Sequence, residues 1–533
     1  MELRQPDGTI VSAERLGDEH GHILTDSQHH PLVLNQRGYY ERTSYSVKEA
    51  LSLARQERQA RKKASSAGDA KYVYSSAAFP TKGDPHSIVV LVEYQDVKFS
   101  VEDPKSYYED YLNGEDFRRD NATGSCRQYF IDNSNGKFQP TFDVYGPVPL
   151  ANVRSYYGGN VGGNDRAVEE MVIEAVDYLD ATVDFSQYDH NKDKYVDSIY
   201  LIYAGVGESD SDVSDSVWPQ SWELELSGYT KKVDGVWINA YGCSNEISDG
   251  KPRGIGVFVH EFCHVLGLPD LYNTDNFYDT TTPLQWSLMD EGSYTNDSRT
   301  PPCLSAFERY SLGWITPEEI LSSGDYHLSS LNDNAKAYLM TTEENEDEFF
   351  ILENRQQKGW DAYLPGHGMM IWHIDFYQGR WDRNKPNYLT DHPCVRIMRA
   401  DNDKSPSTFA GDPFPGTSGA VEFSSSTTPG LLSWDRKELN VTSIYEIQEQ
   451  EVEITFLADV SEERGKPGTT GLRETTQNSP EFQIRNGVVY CTEGHHPVFD
   501  TLGRVIGVVT PSNPFTLYKG VFIVNGHKIA NLN

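Results

Sequence analysis

Apolar and polar positions divide the chain into stretches of different period. Ser87-Ile-Val-Val-Leu-Val-Glu-Tyr94 is an apolar run enriched in β-branched residues, the pattern of a strand, and Ser198-Ile-Tyr-Leu-Ile-Tyr-Ala-Gly205 is a second, buried one. Asp165 to Leu179 repeats its apolar residues at helical spacing, and Ser305 to Leu312 forms a further helix. Between them lies a strongly apolar helix through Val257, Phe258, Val259, Val265 and Leu266. From about 325 to 460 alternation dominates, so strands are expected there. Ile10 to Tyr40 carries short β-type patterns with turn signals at Asp7-Gly8, Gly21 and Arg37-Gly38. Val47 to Ala64 reads as a polar, basic helix. Residues 461–480 have linker composition, and 481–533 suit a small β module. The fold class expected is α+β and multidomain. An N-terminal segment (1–66) precedes a mixed sheet with a buried helix (67–322), a β-rich, sandwich-like region (323–460), a linker (461–480) and a C-terminal β module (481–533).

The apolar helix carries the chemistry. Residues 260–270 read His-Glu-Phe-Cys-His-Val-Leu-Gly-Leu-Pro-Asp, an HExxHxxGxxD pattern. His260 and His264 fall one turn apart on one helix face, where two imidazoles can grip a single zinc ion. Glu261 projects beside that face and can take a proton from a water that zinc activates. Gly267 suits a left-handed helix stop and Pro269 forbids continuation, so the chain turns back where Asp270 can supply a third ligand. Spacing alone leaves Asp290 and Glu291 open for that place. A buried helix with two hydrogen-bonded histidines is the alternative, and the apolar flanks, the Gly-x-x-Asp extension and a downstream turn weigh against it. That turn, Trp286-Ser-Leu-Met289-Asp-Glu-Gly292-Ser-Tyr294, looks like a Met-turn, with Met289 supporting the metal by packing. Tyr294 or Tyr272 is a candidate to stabilise a tetrahedral oxyanion.

These motifs, with Gln128-Tyr-Phe-Ile-Asp-Asn-Ser-Asn-Gly-Lys-Phe138, Val144-Tyr-Gly-Pro-Val148, Leu312-Gly-Trp-Ile315, Phe350-Ile-Leu-Glu-Asn-Arg355 and Leu364-Pro-Gly-His-Gly-Met-Met-Ile-Trp-His-Ile-Asp375, resemble the immune inhibitor A family of secreted bacterial zinc metallopeptidases. The resemblance spans roughly residues 85–460. It implies a metzincin-like catalytic domain at 67–322, one catalytic zinc, bound calcium and hydrolysis of protein substrates by an endopeptidase. With it, residues 1–66 read as a propeptide that keeps the enzyme latent. The rival reading is a surface adhesin or glycan-binding protein with a vestigial peptidase fold. A third keeps the zinc and hydrolyses an ester or N-acyl group. The C-terminal module resembles those of secreted Bacteroidetes-type proteins, including sorting domains.

Composition narrows the partners. The chain has 533 residues, 46 Lys+Arg against 80 Asp+Glu, and a formal net charge of −34, which argues against nucleic acid. Mean hydropathy is −0.59, and no apolar run approaches the ~20 residues of a membrane span. A monomeric, secreted or cell-surface protein whose signal peptide has been removed is expected. Asp189, Asn191, Asp193, Tyr195 and Asp197 occupy the first five ligand positions of an EF-hand-like loop. Lys194 replaces the turn glycine and Tyr200 the bidentate glutamate, so a partial calcium loop and a plain acidic turn both stand. Asp18, in Asp18-Glu-His-Gly-His22, is a candidate latency ligand or part of a polar surface turn. Arg58, Arg61, Lys62 and Lys63 mark a maturation site or a solvated linking helix. His373, Asp375 and His367 are read as a hydrogen-bonded structural group rather than a second metal site. Cys263 is expected as a buried thiol, while Cys126, Cys243, Cys303, Cys394 and Cys491 are open to pairing.

Overall fold

The computed structural model describes the chain except for residues 1, 5–8, 19–20, 35–38, 48–49, 51–69 and 160–164, short stretches within 209–214, 275–278 and 343–346, and the segments between strands in 462–533. The side chains of 2–4, 14–24 and most of the C-terminal strands also lie outside it. The chain forms two units. The smaller takes residues 321–324, 440–442 and 459–533, and its described elements beyond residue 472 are strands in a five-stranded and a three-stranded sheet.

The larger unit (1–320, 325–439 and 443–458) holds the candidate chemistry. Its first sheet contains β1 (His86–Glu93), β2 (Thr141–Pro149), β3 (Ile199–Val206), β4 (Gln220–Glu223) and β5 (Ala240–Ser248), in the order β4-β5-β3-β1-β2. Neighbours from β5 to β2 run parallel, and the edge strand β4 is antiparallel. The apolar run in β1 is continuous because both faces are covered. Ile88, Val90 and Val92 enter one core, and Val89 and Leu91 enter the other. Each such buried side chain contributes about 1.5–3 kcal/mol.

Helices cover the two faces. With α1 (Pro104–Asn113), α2 (Cys126–Ser134) and α3 (Val168–Leu179) numbered in chain order, α3 lays Val168, Met171, Val172, Ala175 and Val176 on one face. The other face receives Tyr129 and Phe130 of α2 and the apolar side of α4 (Gly256–Val265). The next helix, α5 (Ala306–Ser311), starts on a capping box in which Ser305 and Glu308 satisfy each other's backbone N–H groups.

A second sheet follows in chain order: β6 (Glu318–Glu319), β7 (Tyr338–Thr341), β8 (Glu348–Arg355), β9 (Gly368–Asp375) and β10 (Val395–Ile397). A third, four-stranded sheet is built from Gly324–Ser329, Glu453–Val460, Val441–Gln450 and Glu422–Ser424. No break in the core accompanies the boundary expected at 322/323. Phe349, Ile351, Trp372 and Ile374 of β8 and β9 share one core with Phe258, Phe262, Phe307 and Trp314. Alternation reveals which strand face is buried, but not what buries it, so the partition at 322 divides residues that pack together.

Candidate metal centre

The helix α4 is held on the sheet by aromatic contacts. Phe258 meets Tyr200 of β3 at 4.5 Å between ring centroids and Phe142 of β2 at 5.2 Å. Phe262 meets Phe142 at 5.1 Å and Phe130 at 5.4 Å. At the helix start the following turn comes so close that a Cβ on Gly256 would lie 1.9 Å from the Ser293 carbonyl oxygen. At its end Gly267 adopts φ +102°, and Leu268 N–H donates back to Cys263 O at 2.9 Å. The expected glycine stop is therefore in place, and it returns the chain through Pro269 to Asp270.

His260 and His264 face each other edge-to-face, with ring centroids 4.9 Å apart. Each Nδ1 lies 2.8 Å from a carbonyl oxygen, Leu288 O for His260 and Leu268 O for His264. A carbonyl only accepts, so each Nδ1 carries a proton, and each Nε2 is left either to bind a cation as a lone pair or to carry a second proton toward Asp270. Both Nε2 atoms point at Asp270 Oδ1, at 3.1 and 3.3 Å. With neutral rings these contacts set acceptor against acceptor, and the buried Oδ1 has no hydrogen-bond partner. The three groups offer ligand atoms within 4.8 Å of one another, the one such His/Cys/Asp/Glu cluster among the described residues. Two imidazoles with a carboxylate form a donor set that fits zinc. Burial pulls the His260 pKa down, but Asp270 more than reverses this and raises it to about 9. Burial likewise opposes the Asp270 anion, and the two imidazoles nevertheless hold its carboxyl well below the usual range.

The turn at 286–294 supports this cluster from below. Leu288 O receives the His260 proton, and Met289, fully buried, uses its carbonyl to accept Leu271 N–H at 2.7 Å. Asp290 is spent elsewhere, since its carboxylate accepts Leu284 N–H and Glu291 N–H at 2.8 Å each. Asp290 and Glu291 lie outside the convergent trio, and Asp270 lies within it. No hydrogen bond or ion pair ties down Glu261 among the described residues, and burial raises the pKa of its carboxyl. Tyr272 hydrogen-bonds to Asp270, and burial followed by that carboxylate pushes its phenol up. Tyr294 is 59 % exposed.

The remaining candidates lie apart from this site. In the 189–197 loop, Asp189 accepts Asp193 N–H and Lys194 N–H, Asn191 accepts Asp193 N–H, and Asp193 accepts Tyr195 N–H. Asp197 bonds His190 at 2.7 Å through Oδ2 and leaves Oδ1 buried without a partner. Asp18 ends a strand, Glu14–Asp18, paired with Gly21–Thr25, and its side chain lies outside the described residues. His373 bonds Glu348 and Arg396, Asp375 bonds His392, and the half-exposed His367 bonds Glu449. Cys126, Cys243, Cys263, Cys303 and Cys394 are buried free thiols, so none of these five pairs with another. Cys491 has no described side chain.

Residues outside the motifs also reach the site. Asn384 bonds Asp270 at two points, and Trp286 of the turn donates to Asp412 at 2.8 Å. Neither contact has a local sequence signal, because each partner lies more than a hundred positions away.

Comparison with known proteins agrees with the geometry. Residues 81–315 match the catalytic domain of immune inhibitor A peptidase M6. Pre-pro-metalloprotease PrtV of Vibrio cholerae serotype O1 is 27 % identical over 326 residues, covering 54 % of this chain and 33 % of that protein. Immune inhibitor A of Bacillus thuringiensis subsp. alesti is 28 % identical over 251 residues, covering 39 % of this chain and 36 % of the relative. The chain thus spans about a third of the length of these curated relatives. The solved metalloproteinase-II from Bacteroides fragilis aligns with a TM-score of 0.22 at 15 % identity, over 59 % of this chain and 84 % of that one. Residues 81–315 are thus similar to the catalytic domain of the immune inhibitor A peptidases.

Proposed function

We propose that this chain is a zinc-dependent endopeptidase acting on extracellular proteins, made as a latent zymogen. The orphaned Asp270 Oδ1 facing two imidazole Nε2 atoms, within the matched peptidase domain, carries the reading. His260, His264 and Asp270 would hold the zinc. Bound there, zinc supplies a Lewis acid that acidifies water and polarises the scissile carbonyl. Glu261, without a hydrogen-bond or ion-pair partner among the described residues, would take the proton of the attacking water and return it to the leaving amine. Leu288, beside Met289, would keep His260 oriented through its carbonyl oxygen, and Leu268 does the same for His264. Tyr294 or Tyr272 would donate to the oxyanion, Tyr272 only after turning its hydroxyl away from Asp270.

Two features extend the reading. At the 189–197 loop one buried Asp197 oxygen is without a partner, and a structural calcium ion is proposed there, its binding drawing the remaining loop oxygens together. The N-terminal segment leans on the peptidase region through Tyr40 OH, which donates to Gly228 O at 3.1 Å, consistent with a propeptide. Secretion is part of the same reading; no described helix is long and apolar enough to cross a membrane. A vestigial, ligand-binding role is not favoured, because the ligand pair and the unspent glutamate are all kept. Casein or gelatin hydrolysis by the matured chain should cease with a chelator and return with zinc, and Glu261→Ala should abolish it while zinc stays bound. Chelator-resistant hydrolysis would overturn the proposal.

A further inference from the structure

Asp270 must offer one carboxylate oxygen to a metal, and something has to hold the rest of the residue. That role falls to Asn384, between β9 and β10. Asn384 Nδ2 donates to Asp270 Oδ2 at 2.6 Å, and Asn384 Oδ1 accepts the Asp270 backbone N–H at 2.7 Å. One amide therefore grips both the side chain and the backbone of the same residue, and the oxygen left over is Oδ1, the one facing both imidazoles. Asn384 is itself held in the left-handed backbone region at φ +55°, a conformation asparagine tolerates better than most residues. Its Oδ1 also accepts Tyr74 OH at 2.7 Å. The Tyr74 ring lies 6.4 Å from that of His264, and Tyr74 N–H donates to Gly267 O at the helix stop.

The two segments that meet here are tied to each other as well. Ser75 N–H donates to Asp382 at 2.7 Å, and Gln378 donates to Val73 O at 2.9 Å. Both segments lie outside residues 81–315, the stretch matched by the peptidase domain.

We propose that Asn384 is a positioning residue for the metal centre, locked by Tyr74, so that the third ligand is presented only when residues 73–75 and 378–384 are docked on the end of α4. The inference rests on the reading of His260, His264 and Asp270 as a zinc site. Ligand partners of this kind typically change metal affinity 10–100-fold when removed.

The test measures zinc affinity of the full-length chain by competition with a chromophoric chelator, and the visible spectrum of the cobalt-substituted protein. Asn384→Ala should weaken zinc binding by about 10–100-fold and alter the cobalt bands. Tyr74→Phe, which keeps the ring and removes one hydrogen bond, should weaken it by about 3–10-fold and shift the cobalt bands, below the scale of Asn384→Ala. Both measurements are made well below the melting temperature of the metal-free variants, so a loss of fold is separated from a loss of ligand geometry. If Asn384→Ala fails to fold, Tyr74→Phe carries the test alone. Wild-type zinc affinity and an unchanged cobalt spectrum in the folded variants would overturn the inference. Absence of zinc binding by the unaltered chain would instead overturn the site reading on which it stands.

Discussion

The larger unit holds two groupings of histidine and carboxylate, and they spend their polar atoms differently. At His260, His264 and Asp270, backbone carbonyls hold the Nδ1 side of each ring, and both Nε2 atoms converge on one carboxylate oxygen. At His373 both ring nitrogens are used, with Glu348 at 2.8 Å on Nε2 and Arg396 at 2.8 Å on Nδ1. Its ring stacks on Phe350 at 4.0 Å, and burial together with Arg396 keeps its pKa well below the usual range. Nearby, His392 bonds Asp375 at 2.6 Å and stacks on Trp434 at 4.0 Å. Histidine beside carboxylate is thus not enough for a metal site. What decides is whether lone pairs remain after the protein has satisfied itself.

That contrast can be broken by substitution. The largest effect is expected for His264→Ala, which should remove bound zinc and reduce proteolysis to background, measured as zinc per chain and casein turnover. Glu261→Ala should keep the zinc and lower turnover by about 10²–10⁴-fold, the usual contribution of a general acid–base group. His373→Ala should do the reverse, keeping zinc and the cleavage chemistry while costing about 1–3 kcal/mol in a urea titration, because Glu348 loses a partner inside the protein. Loss of zinc in that variant would erase the distinction between the clusters. The smallest effect is expected for His392→Ala, whose pair is part-exposed, at under about 1 kcal/mol in the same titration.

The convergence of the three proposed ligands was legible in the sequence because they are local. A helix brings His260 and His264 together, and a glycine at φ +102° with a following proline returns Asp270 to them, all within eleven residues. The choice of Asp270 over Asp290 and Glu291 was not legible, since it depends on Asp290 being spent on Leu284 N–H and Glu291 N–H. Asn384 was out of reach for the same reason, lying 114 positions from Asp270. Patterning identified the strands of β1 and β3 and the β-rich stretch that holds β8 and β9, but the period of a strand does not say which helix it covers. The core shared by Trp372 and Phe262 therefore emerges only from the fold.

Zinc K-edge X-ray absorption of the full chain tests the central claim most directly. The account predicts a shell of nitrogen and oxygen donors at about 2.0–2.2 Å, with two imidazoles and no sulfur. A sulfur shell near about 2.3 Å, or a spectrum unchanged by His264→Ala, would contradict it.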